Sequence, residues 1–156
     1  DEAGYLFIMG RTDDVINVAG HRLSTGEMEE VVGAHPAVAE CAVIGIHDEL
    51  KGQVPVGLVI PKDGFSGDEA TLEAELIERV RDHIGPIACF KQVLVVNRLP
   101  KTRSGKILRK LLRNIADGKS FGIPSTIDDP TSLDDVHTAM RERNVGAADQ
   151  ATPTDH

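Results

Sequence analysis

Aromatic residues make up only 3% of this sequence, with no Trp and a single Tyr. A core must therefore be built from Val, Ile, Leu and Ala. The ring-rich platform on which unpaired nucleobases stack is missing, which argues against single-strand nucleic-acid binding. Net positive charge is also lacking: the formal charge is −8, and this disfavours general nucleic-acid binding or attachment to an anionic membrane. No apolar run approaches the ~20 residues needed to span a bilayer, and the opening DEAGYLF has neither a basic start nor a signal-like apolar stretch, so a cytoplasmic location is expected. Cysteine is scarce. Cys41 and Cys89 lie in apolar surroundings without metal-ligand spacing and read as reduced packing residues rather than a disulfide. What is present, 156 residues of which 40% are hydrophobic, is one domain's worth of chain with enough apolar material for a core.

The apolar spacing outlines the elements. Tyr5–Met9 and Val15–Val18 are short β-prone runs that read as two strands around the polar bend GRTDD. Ser24-Thr25-Gly26-Glu27 has the form of a capping box and predicts a helix start, with Met28, Val31 and Val32 on one side and Pro36 ending the ladder. Residues 38–46 and 54–60 are Val/Ile-rich and predict paired strands of a half-buried sheet. Leu72, Leu76, Ile77, Val80 and Ile84 form the stripe of an amphipathic helix that begins near Asp68 and stops at Gly85-Pro86. A strand at 93–96 follows, and a last helix has Ile107, Leu108, Leu111, Leu112 and Ile115 as its apolar face, closed by Gly118. Loose alternation of strands and helices predicts an α+β fold, a small mixed sheet with a β-hairpin and packed helices. From about residue 120 the chain is rich in Ser, Thr, Asp, Gly and Pro. It reads as a mobile tail with one short helix at Ser132–Arg141.

Two segments carry chemistry. Arg98, Lys101, Arg103, Lys106, Arg109, Lys110 and Arg113 fall within 16 residues that contain no Asp or Glu. This is either a local anion site or a solvated loop and basic helix face. Pro100, Ser104 and Gly105 give the loop its turns, and Gly105 lets the backbone beside Lys106 approach a ligand closely. It is not a P-loop, because Pro100 and Ile107 stand where that motif needs Gly and Ser/Thr. The second segment, GRTDDVINVAGHR at 10–22, sets two arginines around an Asp pair and a glycine. That set suits bidentate contacts to a polyphosphate but is also compatible with an ordinary turn.

Together, GRTDDVINVAGHRLSTGEMEE and, some eighty residues later, LPKTRSGKILRK closely resemble the C-terminal domain of the AMP-forming acyl-CoA synthetases of the adenylate-forming superfamily. The resemblance runs from residue 4 to about residue 119. The LPKTRSGK loop, Lys51-Gly52-Gln53 and the tail at 125–136 are most similar to short-chain enzymes, propionyl-CoA synthetase first and acetyl-CoA synthetase second.

That resemblance implies a remnant strand of a missing N-terminal domain at 1–12, a lid domain at 13–119 and a polar, largely flexible tail at 120–156. It implies a full-length enzyme that uses ATP, CoA and Mg2+ to make an acyl-adenylate and then a thioester, with the small domain reorienting between the two steps. By position, Asp13 would be the hinge, and Arg11 and Arg22 would contact the nucleotide. Ala19 and Gly20 would line the pantetheine channel. Arg81 would bind the nucleotide end of CoA, although a bare helix-end cation accounts for it equally well. Lys106 would enter the active site during adenylation and would be the target of a lysine acyltransferase and deacylase. A cation site would be formed by main-chain oxygens of Gly33 and Val38 with His35, with His35 alternatively a simple helix-end residue. The partner is the protein's own N-terminal domain, and the isolated chain is expected to be inactive. The rival reading is a free-standing anion- or partner-binding module built on residues 98–113.

Overall fold

The computed structural model describes residues 15–65 and 67–148, together with the backbone of Pro153 and Thr154. The Tyr5–Met9 run, Arg11 and Asp13 lie outside the described residues.

Strands β1 (Val15–Val18) and β2 (His21–Ser24) form a tight hairpin, with Val18 opposite His21. Helix α1 (Thr25–Gly33) follows at once, and the Ser24 hydroxyl accepts from the Glu27 amide at 3.2 Å, as the capping motif predicts. The Val/Ile runs become the long antiparallel pair β3 (Val38–Asp48) and β4 (Gly52–Pro61). Next come α2 (Glu69–His83), a 3-10 turn at Pro86–Ala88, and β5 (Val93–Val95), which runs parallel to β4 with Gly57 opposite Val93. The remaining elements are α3 (Arg109–Ala116), β6 (Phe121–Gly122), α4 (Thr131–Glu142) and β7 (Pro153–Thr154), of which β6 and β7 pair with each other. The main sheet has the order β2-β1-β4-β3, with β5 sharing the β4 edge. The fold is therefore the expected mixed sheet with a hairpin and packed helices.

Both faces of this sheet are covered. Val43, Val59 and Val93 point to one side and pack against Met28, Val32, Leu72, Leu76 and Val80 of α1 and α2. Ala42, Ile44, Ile46, Val56 and Leu58 point to the other, against Leu112 and Ile115 of α3 and Val136 and Met140 of α4. The alternation follows from the two-residue period of a strand. Gly45 and Gly57 fall on the first face, where a Cβ would collide with Ile16 and Phe90 respectively, so their lack of a side chain seats those two residues.

The chain beyond residue 119 departs from the expected mobile tail. The short helix exists, but it is docked: Leu133, Val136 and Met140 are buried, as are Phe121, Ile127, Val145 and Ala148. The reason is geometric. Helix α3 has eight residues, too few to cover the second sheet face, and α4 covers what is left. Composition averaged over the tail hides these apolar residues among its Ser, Asp and Pro.

Candidate functional site

The first candidate segment ends in a two-residue turn. Ala19 has φ 51° and Gly20 φ 87°, the positive values that a tight hairpin turn with the native strand twist requires. The structure pairs Val15–Val18 with His21–Ser24, a strand that polarity conceals. The turn is tied down by the Ala19 amide, which donates to the Lys51 carbonyl at 2.8 Å in the β3–β4 connection. A Cβ on Gly20 would meet nothing within 4 Å, so within this chain its glycine is dictated by backbone conformation. Arg22 is exposed on β2, opposite Asn17.

The second segment folds into a small hairpin. Lys101 bridges to Ile107, the Thr102 amide donates to the Lys106 carbonyl at 2.8 Å, and the Gly105 amide closes a turn onto the Thr102 carbonyl at 2.8 Å. With Gly105 at φ 91°, this is a three-residue loop with a glycine bulge. Thr102 also accepts the Lys106 amide on Oγ1 at 3.1 Å and shares a hydrogen bond with Ser104 Oγ at 2.9 Å. A Cβ on Gly105 would meet nothing within 4 Å, so within this chain the left-handed backbone is what demands glycine there. Lys106 is exposed at the end of this loop, and its ammonium makes no ion pair among the described residues.

The basic stretch is not one uniform anion site. Arg98 pairs with Asp129 and Lys101 with Glu40. Arg109 donates to both oxygens of Glu29, Nε to Oε2 at 2.9 Å and Nη2 to Oε1 at 2.6 Å, with both side chains largely buried. Among the described residues this leaves Arg103, Lys106 and Lys110 as exposed cations without an ion-pair partner. Glu29 was missed from sequence. It also accepts the Val43 amide at 3.0 Å, so it caps an outward N–H of the edge strand β3.

Cys41 packs beneath Glu29 and donates to its carbonyl at 3.4 Å. Burial, then the Glu29 charge, pushes its thiol from 9.0 up to about 11 against the opposing pull of Arg109. At pH 8 only about one Cys41 in a thousand is then the thiolate that reacts. Alkylation of the folded chain at that pH is expected to spare Cys41 and unfolding to expose it. Mass spectrometry showing equal labelling in both states would contradict this environment. The sign of the linkage follows: this group's contribution to stability is complete below pH 9.0 and is lost as pH rises through about 11.

Arg81 is exposed near the end of α2, on a groove of about 310 Å³ that it lines with Gly85, Pro86, Cys89 and Lys91. His35 is fully engaged, its Nδ1 accepting the Ala37 amide at 3.0 Å and its Nε2 bonded to Glu75 Oε1 at 2.7 Å. With its one acceptor nitrogen taken, the ring has no lone pair for a metal, so the His35 side chain does not fit as a ligand of a cation at the main-chain oxygens of Gly33 and Val38. Among the described residues no cluster of three or more His, Cys, Asp or Glu side chains could hold one either. No helix among them is long and apolar enough to cross a membrane.

The two segments lie at opposite ends of the sheet. Ala19 is bonded beside the Asp48–Gly52 end of the β3–β4 pair, whereas Lys101, at the base of the Lys106 hairpin, reaches Glu40 beside the Glu40–Ile60 end. From Glu40 to Asp48 is eight residue steps, about 26 Å at ~3.3 Å per residue.

A mixed sheet between helix pairs, with a glycine-turn hairpin at one end and a lysine hairpin at the other, defines a small domain that carries two separated chemical ends. The family model of the AMP-binding enzyme C-terminal domain matches residues 27–106, and the chain belongs to that family. It is 63% identical to an uncharacterised protein of Pseudomonas aeruginosa over 94% of this chain and 23% of that protein. It is 50% identical to the propionate–CoA ligase of Escherichia coli, over 91% of this chain and 23% of that protein. A crystal structure of a Brucella canis acyl-CoA synthetase superposes with a TM-score of 0.61 at 40% identity, covering 68% of this chain and 19% of that one. The chain thus spans about a quarter or less of the length of these relatives.

Proposed function

We propose that this chain is the mobile C-terminal domain of an acyl-CoA synthetase that activates a short-chain carboxylic acid with ATP and transfers the acyl group to CoA. Propionate is the first candidate and acetate the second, a preference that rests on the likeness of the LPKTRSGK loop and the 125–136 segment. The observation that carries the reading is the separation of the two hairpins along the sheet. A domain of this size can bring only one end at a time to a single active site, so two half-reactions require it to turn.

With the Lys106 end inward, the exposed ammonium on its short loop meets a carboxylate attacking the α-phosphate. Two anions are being joined, and a cation aimed at the developing charge lowers that barrier. With the other end inward, the Ala19–Gly20 turn borders the path of the CoA thiol, Arg22 faces nucleotide phosphate, and Arg81 with Lys91 offers cations to the nucleotide end of CoA. Asp13 would be the hinge, and Arg11 would contact the ribose. Among the described residues no side-chain cluster would hold the metal accompanying ATP, and it enters no step. The partner is the large N-terminal domain, without which the chain is expected to make no acyl-CoA. A free-standing anion-binding module is disfavoured because Arg98, Lys101 and Arg109 spend their charge on carboxylates of this same chain.

The test substitutes Gly20 in the intact protein. Open space around it lets Gly20→Leu fold at the cost of local backbone strain, which Gly20→Ala shares without the bulk. Gly20→Leu is expected to slow thioester formation about a hundredfold while acyl-adenylate formation stays within about twofold. Equal slowing of both steps, or equal effects of Ala and Leu, would contradict the channel role. Turnover of propionate against acetate by the same protein decides the acid.

A further inference from the structure

We propose that Thr126–Asp129, in the segment beyond α3, is a positioning strand for the Lys106 hairpin and sets the rate of adenylation without touching substrate. This rests on the role given to Lys106 above. A two-stranded hairpin of this size is marginal in water on its own. Its outer edge, however, is paired: the Arg103 amide donates to the Thr126 carbonyl at 3.0 Å, the Asp128 amide donates to the Lys101 carbonyl at 2.8 Å, and Thr102 bridges antiparallel to Ile127. Lys101–Arg103 is thereby the middle of a three-stranded patch, with Lys106–Ile107 on one side and Thr126–Asp128 on the other.

The third strand is itself anchored at both faces. Ile127 is buried in the cluster containing Leu99, Leu111 and Leu112. Asp129 accepts the Thr131 amide and hydroxyl on Oδ1, at 3.1 and 2.7 Å, and pairs through Oδ2 with Arg98. The buried Ser132 donates to the Asp129 carbonyl at 2.7 Å. Helix α4 therefore fixes the strand, and the strand fixes the hairpin. Lys106 keeps a free ammonium on a base whose backbone is held from outside its own motif. Holding a reacting group within an ångström of its place is the kind of effect that governs rate more than affinity.

The test uses the intact protein. Asp128→Pro deletes the amide that donates to Lys101, while Asp128→Ala keeps it, and the side chain concerned is exposed. In Asp128→Pro, pyrophosphate release in a single turnover is expected to fall about 10- to 100-fold, with thioester formation from supplied acyl-adenylate within about twofold and Tm lowered by only a few degrees (~2–4 °C). Asp128→Ala is expected to retain both half-reactions. Unchanged adenylation in Asp128→Pro overturns the proposal, and so does equal loss of both half-reactions. A parallel Lys106→Ala protein separates the two levels. If it still forms the adenylate, the reading of Lys106 itself fails; if it does not while Asp128→Pro does, only the positioning role fails. Hydrogen exchange in the unsubstituted protein adds a readout independent of variant folding. The amides of Arg103 and Asp128 are expected to be protected although both residues are exposed, and exchange at free-loop rates would overturn the proposal.

Discussion

Lys106→Ala in the intact protein is expected to lower acyl-adenylate formation by about 10²–10³-fold or more while leaving thioester formation from supplied acyl-adenylate within about twofold. Lys106 is exposed and its side chain makes no ion pair among the described residues, so the substitution removes no packing and should shift stability by no more than about 0.5 kcal/mol. Its backbone contacts, the carbonyl accepting from Thr102 and the amide donating to Thr102 Oγ1, survive truncation to Ala. What disappears is the ammonium alone. Because the glycine-turn hairpin stands at the other end of the sheet, the second half-reaction should not register the loss. Single-turnover pyrophosphate release and acyl-CoA formation from synthetic adenylate measure the two steps separately. Comparable losses in both would end the two-ended reading. Acylation of Lys106 neutralises the same charge and should reproduce the selective defect.

Much of this architecture is legible in the order of residues, and the failures have physical causes. The α2 stripe, the Ser24 cap and the β3–β4 pair follow from periodicity and local hydrogen bonding, which act within a few residues. In the tail, composition averages over its length and hides the buried Phe121, Ile127, Leu133, Val136 and Met140. A counter-signal was present in β3 and β4, whose centres are contiguous apolar runs rather than strict alternations. Such runs suit a sheet buried on both faces and therefore demand a second helical layer. Strand β2 escaped notice because Ala19 is an unusual occupant of a positive-φ turn position and HRLS lacks an apolar pattern. At the site, Lys106 and its loop were identified by motif. How far the surrounding cations are neutralised was not readable, because Glu29, Glu40 and Asp129 come from distant parts of the chain.

The Glu29–Arg109 pair is the most deeply buried of those hidden contacts. Helix α3 opens with Arg109 and Lys110 and has no acidic residue in its first turn, an arrangement that the helix dipole opposes. Glu29 supplies the missing negative charge from α1, chelates Arg109 through both oxygens and satisfies the Val43 amide on the sheet edge. The side chains of Arg109 and Glu29 are only 13% and 15% exposed, so the pair is held largely away from water, and loss of Glu29 also leaves the Val43 amide without its acceptor. Glu29→Ala is therefore expected to cost about 1–3 kcal/mol in urea unfolding of this chain. Arg109→Met should cost less, because Glu29 keeps the Val43 amide as a donor. The double variant Glu29→Met/Arg109→Met removes both charges together and should be more stable than the sum of the single losses predicts, by about 1–3 kcal/mol. A coupling near zero would mean that the pair is solvated and holds nothing. A large coupling would identify the clasp that fastens the start of α3, three residues after Lys106, to the edge of the sheet.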